Sequence, residues 1–353
     1  MSSIDIRINQ INTAVTVIIV VVSLINFILG IIGLLFNLLV FTRRSLRHEP
    51  CSLYLFSSTC FNLFVIIVII PVRIASEGFN IDLGNYNLII CKIEFFTFYV
   101  IRTIPCWLIV LACFDRYLHS SPRAYIRQIS SYKTAKISIG IISIVIIILH
   151  IHMPIYYEIS NSVDQFGNIS PGCYGRKGIY RTFIAFWSTA LYSLCPSFFM
   201  LVFGLLTFNN IRQTCQVLPR IPQINQITRR RDIQLGRMLA AQVLVIIIAT
   251  LPISIYRIYA SITLSLTKDI FRLAVENLAY KTANALTYFA HSTSFYLYTL
   301  TGTVFRREFF KIIRKYRHPN RTNFVTARVA IHQISNLRNN QPNTIRRNNG
   351  VYQ

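Results

Sequence analysis

Ionisable side chains inside apolar stretches are the first candidates for chemistry in this chain. Asp115, Arg116 and Tyr117 lie at the end of the run LACFDRYLHSS, and Arg102 lies deeper in the same apolar segment. A charge in hydrocarbon costs about 3 kcal/mol unless it is paired or faces water. Adjacent Asp115 and Arg116 can neutralise each other and leave the arginine free to exchange partners, although a plain interfacial anchor has the same pattern. Arg102 needs either a partner on a neighbouring segment or a carboxylate or carbonyl of a ligand, and we leave both alternatives open.

Patterns typical of catalysis and of metal binding are absent from the sequence. The apolar runs contain no cluster of His, Asp and Glu, no nucleophile is paired with a base, and no Cys/His cluster has metal-ligand spacing. We therefore predict that the chain is not an enzyme and has no metal or cofactor.

Composition places these residues in a membrane. Of the 353 residues, 53% are hydrophobic and only 14% are charged, which leaves too little polar surface to cover a soluble core. A net charge of +24 would suggest nucleic acid in a soluble protein. Here the basic residues lie between and after the apolar runs, so anionic membrane lipid is the expected partner and nucleic acid is not.

Seven apolar segments, numbered along the chain as spans one to seven, are long enough to cross a hydrocarbon core of about 30 Å. Six are uncharged windows, bounded by Arg7 and Arg43, Glu49 and Arg73, Lys136 and Glu158, Arg181 and Arg212, Arg237 and Arg257, and Lys281 and Arg306. The third span, about Leu88 to His119, is interrupted by Lys92, Glu94 and Arg102. The pattern predicts an all-α integral membrane protein with a seven-helix bundle, and the first run is too long for a signal peptide.

The distribution of Lys and Arg predicts the orientation. The segments after spans one, three, five and seven are all basic, and these four lie on one side of the membrane, which we take as cytoplasmic. The N-terminus is then extracellular. We predict four parts: a short extracellular N-terminus (1–13), the seven-helix domain (14–301), an amphipathic juxtamembrane helix (302–316) and a disordered basic cytoplasmic tail (317–353).

The combination of motifs resembles the rhodopsin-like (class A) G-protein-coupled receptors over about Ala14 to Tyr316. The matching features are the seven spans, the interval from Cys91 to the Asp-Arg-Tyr triplet, and Cys173 in the following extracellular loop. Three residues also match the family, namely Asn37, Pro196 and Pro252. Cys91 and Cys173 are expected to form one disulfide at the extracellular side.

The resemblance implies a cytoplasmic switch. Arg116 is the residue that the family uncovers on activation to meet the C-terminal helix of a G protein, and Asp232 falls where an acidic residue restrains it at rest. The segment Ser294 to Tyr298 falls on the family's Asn-Pro-x-x-Tyr sequence, so Tyr298 is the candidate for the tyrosine that swings inward. A tyrosine belt at the interface explains the neighbouring Tyr296 better. Ser294 is expected to lie in a polar network with Asn37 and Asn62.

Several positions depart from the family pattern. Asn62 replaces the usual aspartate and Pro105 replaces a small polar residue, which predicts weak or absent modulation by sodium. Thr250 replaces the aromatic switch, and Gly204 replaces a tyrosine. Phe295 replaces the proline of span seven and predicts a straighter helix. Three prolines are kink candidates, each with a static kink as the alternative: Pro105, Pro196 and Pro252.

The expected ligand site lies between the outer halves of spans three, five, six and seven. Phe98 takes the position of the aspartate of amine receptors, and Tyr288 takes that of the retinal lysine of opsins, which argues against both ligand classes. Arg102 is the candidate anchor for an anionic or carbonyl group of the ligand. The full set of predicted ligand contacts is Glu94, Phe98, Arg102, Ser188, Arg257, Tyr280, Asn284 and Tyr288.

These features predict a plasma-membrane receptor that binds an extracellular ligand and activates a heterotrimeric G protein. We favour a peptide ligand over a small molecule, and invertebrate neuropeptide receptors of the FMRFamide type are the most similar group. A chemoreceptor for an environmental small molecule is the alternative; a transporter or channel is a weaker one, because neither inverted halves nor an ion relay is visible. Asn168 lies in an extracellular glycosylation sequon.

Overall fold

The computed structural model describes most of the chain. The described ranges are 3–79, 81–163, 169–217, 223–263, 266 and 268–317, without some side chains near their ends. Residues Met1–Arg306 form one compact unit, and Arg307–Gln353 form a second. The predicted tail, beyond residue 317, and Asn168 lie outside the described residues, so the calls made on them stay predictions.

Long helices account for the seven predicted spans. Their bounds are Ser3–Phe41 for span one; Pro50–Phe64, Val65–Ile69 and Ile70–Phe79 for span two; Leu88–Ser120 for span three; Tyr132–His150 and Met153–Tyr156 for span four; Ile179–Thr189, Ala190–Leu194 and Cys195–Val217 for span five; Gln223–Ile262 for span six; and Ile270–Ser292 and Ser294–Thr301 for span seven. The short connecting helices are Arg44–Arg47, Leu83–Asn85 and Ala124–Ile129, and the last helix is Thr303–Arg317. Span one therefore begins within the segment predicted as a short extracellular N-terminus.

Six of the described helices are long and apolar enough to cross a membrane, and span seven is not among them. Its first half carries Arg272, Glu276 and Lys281, which lower its hydropathy. Span seven packs against spans one and six, so it belongs to the same bundle despite its composition. Span three lies at the centre and packs against spans two, four, five and six, which places Arg102 and Arg116 inside the bundle.

Proline affects the helices in different ways. In span five a π-helical turn, Ala190–Leu194, directly precedes Pro196, and a similar turn, Val65–Ile69, precedes Pro71 in span two. A proline removes one backbone donor and its ring crowds the preceding turn, and a wider turn relieves that crowding. Pro105 and Pro252 lie inside uninterrupted α-helix instead.

A β-hairpin follows span four, on the side that the sequence predicts to be extracellular. Its strands are β1, Tyr157–Val163, and β2, Ile169–Gly175, paired antiparallel with Ile159 opposite Cys173. The predicted disulfide between Cys91 and Cys173 is confirmed, and it ties the hairpin to the first turn of span three. The backbone N–H of Cys173 also donates to Asn85 Oδ1 at 3.0 Å. The sequence predicted only a loop here, because these polar strands lack a clear alternation of apolar residues.

Span seven is interrupted at a single residue, and the straighter helix expected from Phe295 stays a prediction. The helix stops at Ser292 and resumes at Ser294, with Thr293 between the two segments. The Thr293 hydroxyl donates to the carbonyl oxygen of Phe289 at 2.8 Å, and the Ser292 hydroxyl lies 3.2 Å from the same oxygen and 2.8 Å from Asn26 Oδ1 in span one. Hydroxyl side chains that bond the preceding turn bend helices, and they supply here the irregularity that proline would otherwise cause.

Span seven approaches span one closely at Gly33. A Cβ atom on Gly33 would lie 3.1 Å from the Cβ of Phe295 and 3.2 Å from Cε2 of Tyr296. We expect Gly33→Leu to lower the free energy of unfolding by about 1–3 kcal/mol because the two helices must separate. Thermal unfolding of the purified protein measures this.

The matched control for that experiment is Gly140→Leu in span four, where an added Cβ meets nothing within 4 Å. Both substitutions gain the same intrinsic helix propensity. Equal stabilities of the two variants would contradict a tight contact between spans one and seven.

Candidate functional site

Arg102 occupies the centre of the outer half of the bundle. Its side chain is buried, and the residue is only 4% exposed. Nη1 donates to Asn284 Oδ1 at 3.5 Å, and Nη2 donates to the hydroxyls of Tyr192, at 3.4 Å, and Thr287. Among the described residues no carboxylate lies within ion-pairing distance of Arg102, so a full positive charge is held by neutral groups alone.

Aromatic rings complete the surroundings of the guanidinium. Its Cζ atom lies 4.6 Å from the ring centroid of Phe98, 5.0 Å from that of Tyr192 and 4.9 Å from that of Tyr288. Each ring presents a negative π face to the cation, which offsets part of the cost of removing it from water. Three rings and three hydrogen bonds therefore surround the Arg102 guanidinium.

A chain of hydrogen bonds leads from Arg102 toward the middle of the membrane. Below the bond from Arg102 to Tyr192, the Tyr192 hydroxyl lies 3.2 Å from His291 Nε2, and His291 Nδ1 lies 2.8 Å from Asn62 Oδ1. We call these four residues the polar chain. It joins spans three, five, seven and two.

The donors of the polar chain all point the same way. His291 Nδ1 faces a carbonyl oxygen and must carry the proton, so Nε2 of the neutral ring accepts from Tyr192. Tyr192 accepts from Arg102 in turn. Bonds that are aligned in this manner polarise one another, and a change at Arg102 therefore alters the bond that Asn62 receives.

Two further arginines lie toward the extracellular end of the bundle. Arg73 lies 4.4 Å from the Phe98 ring centroid and 3.9 Å from carboxylate oxygens of both Glu77 and Glu94. Arg257 donates to Ser188 Oγ at 2.7 Å. Glu77 and Glu94 thus face Arg73 rather than Arg102.

The predicted ligand contacts do not all meet at one point. Phe98, Asn284 and Tyr288 contact Arg102, and Ser188 contacts Arg257. Glu94 contacts only Arg73 among these arginines. Tyr280 packs against Tyr256 with tilted rings whose centroids are 5.4 Å apart, and Tyr280 is partly exposed.

The bundle centre is polar and lacks a carboxylate in the described part of the chain. Asn37 Nδ2 donates to Ser294 Oγ at 3.0 Å, which is the contact that the sequence suggested. Asn62 instead accepts a hydrogen bond from His291 Nδ1, so its partner is His291 and not the expected Ser294. A cavity of about 10 Å³, about the room for one water molecule, is lined by Asn62, His291 and Gln242 among others. These donors and acceptors are all uncharged.

At the end of the bundle predicted to be cytoplasmic, Arg116 and Asp115 are both buried and form a pair, with Nη2 3.3 Å from Oδ2. The other oxygen of Asp115 accepts from Ser130 Oγ at 2.7 Å. The side chain of Asp232, the predicted second partner of Arg116, lies outside the described residues. Tyr117 stacks on Phe203 with centroids 6.2 Å apart, away from this pair.

Tyr298 lies buried in an aromatic cluster near the same end. Its ring centroid is 5.9 Å from that of Phe41 and 5.8 Å from that of Phe305, both edge-on. At the bundle centre, Thr250 of span six shares a hydrogen bond of 2.9 Å with Ser193 of span five. A small polar contact between spans five and six therefore occupies the place where the resemblance implies an aromatic switch.

Sequence reasoning missed Tyr192, Thr287, His291 and Ser130 as partners in these sites. His291 gave a visible signal, since a lone histidine in an apolar run must find hydrogen-bond partners. Tyr192 gave none, because the chain has 19 tyrosines and most lie in or beside apolar segments.

Comparison with known proteins gives one match. The model of the family described as "7 transmembrane receptor (rhodopsin family)" matches residues 33–296, which include Arg102, the rest of the polar chain and the Arg116–Asp115 pair but not Tyr298. No curated protein matches the chain.

Proposed function

We propose, because this chain belongs to the rhodopsin family of seven-transmembrane receptors, that it binds an extracellular peptide and activates a heterotrimeric G protein. The chain is a membrane-embedded signalling receptor with an extracellular ligand as its partner. The observation that carries the proposal is the buried Arg116–Asp115 pair at one end of span three, with Arg102 surrounded by aromatic rings toward the other.

The proposed signal passes from the outer half to the cytoplasmic end. Arg116 at rest is neutralised by Asp115, and we retain Asp232 as a second restraint. Separation of span six from span three would expose Arg116 to the C-terminal helix of the G protein. Tyr298 would then swing inward into the space that opens between these two spans. The proposed location is the plasma membrane with the N-terminus outside, because the basic segments favour the cytoplasmic leaflet with its anionic lipid.

The hairpin supports a peptide as the ligand. Both edges of a two-stranded hairpin offer backbone N–H and C=O groups, and an extended peptide pairs with such an edge by adding a strand. The disulfide holds this edge near the outer end of span three, where Phe98 and Arg102 also lie. A small molecule gains nothing from the strand edge.

A signalling screen of the full chain tests the proposal. We expect cells that express the receptor to respond to a member of a peptide library with G-protein activation. Arg116→Gln is expected to abolish the response without loss of surface receptor, because glutamine has no charge to exchange between partners. The matched control is Arg44→Gln, an exposed arginine in the first cytoplasmic connection.

Two outcomes would contradict parts of this proposal. A response confined to small non-peptide compounds would favour the chemoreceptor alternative and leave the G-protein step intact. A full peptide response in Arg116→Gln cells would remove Arg116 from the switch.

A further inference from the structure

Arg102 has more capacity for hydrogen bonding than its neighbours use. A guanidinium carries five N–H donors, and Nε of Arg102 has no acceptor although it is buried. The bonds to Asn284 and Tyr192 are 3.5 and 3.4 Å long, which is at the weak end of the range. A buried cation with these neutral partners is stabilised by any anion that reaches it.

The surrounding charges favour an anion as well. The Cζ atoms of Arg73 and Arg102 lie 4.4 and 4.6 Å from the ring centroid of Phe98. The distance between these two Cζ atoms therefore cannot exceed the sum of those two distances. Arg257 adds a third positive charge, and in the described part of the chain it too has no carboxylate in ion-pairing reach. Glu77 and Glu94 offset Arg73 only.

We propose that the ligand carries a carboxylate that binds Arg102. This deepens the function proposed above and rests on it. One uncompensated charge at the bottom of the site matches a monoanion, and the planar guanidinium matches the two oxygens of a carboxylate. The rings of Phe98, Tyr192 and Tyr288 fit an apolar or aromatic group next to that carboxylate. The C-terminus of a peptide and a small carboxylic acid share this chemistry.

Through the polar chain, a carboxylate bound at Arg102 can affect hydrogen bonds at the bundle centre. Nη2 of Arg102 serves both Tyr192 and Thr287, and a carboxylate competes with both for the same donor. The hydrogen bond that the Tyr192 hydroxyl donates to His291 then changes. A neutral ligand that fills the same space leaves this bond unaltered.

Thermal unfolding of the purified full chain in lipid nanodiscs tests the proposal with simple probes. The probes are 3-phenylpropionate and its neutral amide at millimolar concentration, with benzenesulfonate and phenyl phosphate as other anions. A second arm compares a dipeptide ending in phenylalanine with the same dipeptide amidated, which separates a peptide terminus from a small acid.

We expect the carboxylates to raise the unfolding temperature of the wild-type receptor and the amides to leave it unchanged. Arg102→Gln is expected to lose that shift, and Arg102→Lys to retain it with about tenfold weaker binding, because lysine keeps the charge without the planar fork. Arg181→Gln, an arginine stacked on Tyr174 near the hairpin, is the matched control and is expected to keep the full shift.

The unfolding temperature of Arg102→Gln without probe separates the proposal from a purely structural role for Arg102. A structural role predicts that this variant unfolds at a lower temperature than wild type. If the buried charge is a cost that the ligand offsets, Arg102→Gln without probe unfolds at the same temperature as wild type or higher. An unfolding temperature well below wild type would overturn the proposal, as would equal shifts from acid and amide, no shift from any carboxylate, or a larger shift from the sulfonate or phosphate. A carboxylate-independent agonist that still requires Arg116 would overturn this inference and leave the receptor function standing.

Discussion

Replacing Cys91 by serine is expected to remove most folded receptor from the cell surface. The disulfide joins positions 82 residues apart, so its loss frees a long loop in the unfolded state and costs about 4 kcal/mol. It also releases the hairpin, because Cys173 is part of a buried cluster with Met153, Tyr157 and Ile184. Surface labelling of intact cells and thermal unfolding of the solubilised protein measure the two effects.

The design of this experiment uses three further variants. Cys173→Ser and the double variant are expected to match Cys91→Ser, since each removes the same bond. Cys60→Ser is the control, because Cys60 is free and exposed in span two. A double variant that is clearly worse than either single one would show that the two cysteines act separately.

The second large effect is expected from His291→Phe. Phenylalanine keeps a ring of similar size but removes both hydrogen bonds, and it leaves Asn62 Oδ1 and the Tyr192 hydroxyl buried without this partner. Unpaired buried groups cost about 1–3 kcal/mol each, so we expect a loss of about 2–4 kcal/mol in the free energy of unfolding. Signalling by the surviving receptor is expected to fall more than agonist binding does, because the polar chain is cut between Tyr192 and Asn62.

His150→Phe is the matched control for the polar chain. His150 is also fully buried, but its Nδ1 lies 2.8 Å from the carbonyl oxygen of Ile146 in its own helix, so it joins no two spans. We expect a cost below about 1 kcal/mol and normal coupling. If His291→Phe and His150→Phe behave alike in both stability and signalling, His291 is an ordinary buried histidine.

The architecture of this protein was predictable because its causes are local in the sequence. About 20 apolar residues define a span whatever they contact, and the basic loops fix which ends share a side. The pairing of Cys91 with Cys173 was predictable for a similar reason, since few cysteines lie on the extracellular side. The short polar strands of the hairpin gave no such signal, because they lack a clear alternation of apolar residues.

The detail of the sites depends on contacts between distant segments, which the sequence does not reveal. Arg102 stood out because a charge in an apolar run is costly, but its partners Tyr192, Thr287 and Asn284 come from two other spans. The interruption of span seven at Thr293 was not predicted, because it comes without a proline. Asn62 drew attention for the charge that it lacks, whereas its bond to His291 became visible only in the folded bundle.

Transfer of a signal from the outer site to a G protein is measured most directly by nucleotide exchange on purified heterotrimers, with the full-length receptor in lipid nanodiscs. We predict that the peptide agonist raises the exchange rate about tenfold or more, and that Arg116→Gln, at equal receptor amounts, removes this increase while Arg44→Gln keeps it. An agonist that binds the receptor but stimulates no class of heterotrimer, or that stimulates Arg116→Gln as strongly as wild type, would contradict the proposed function.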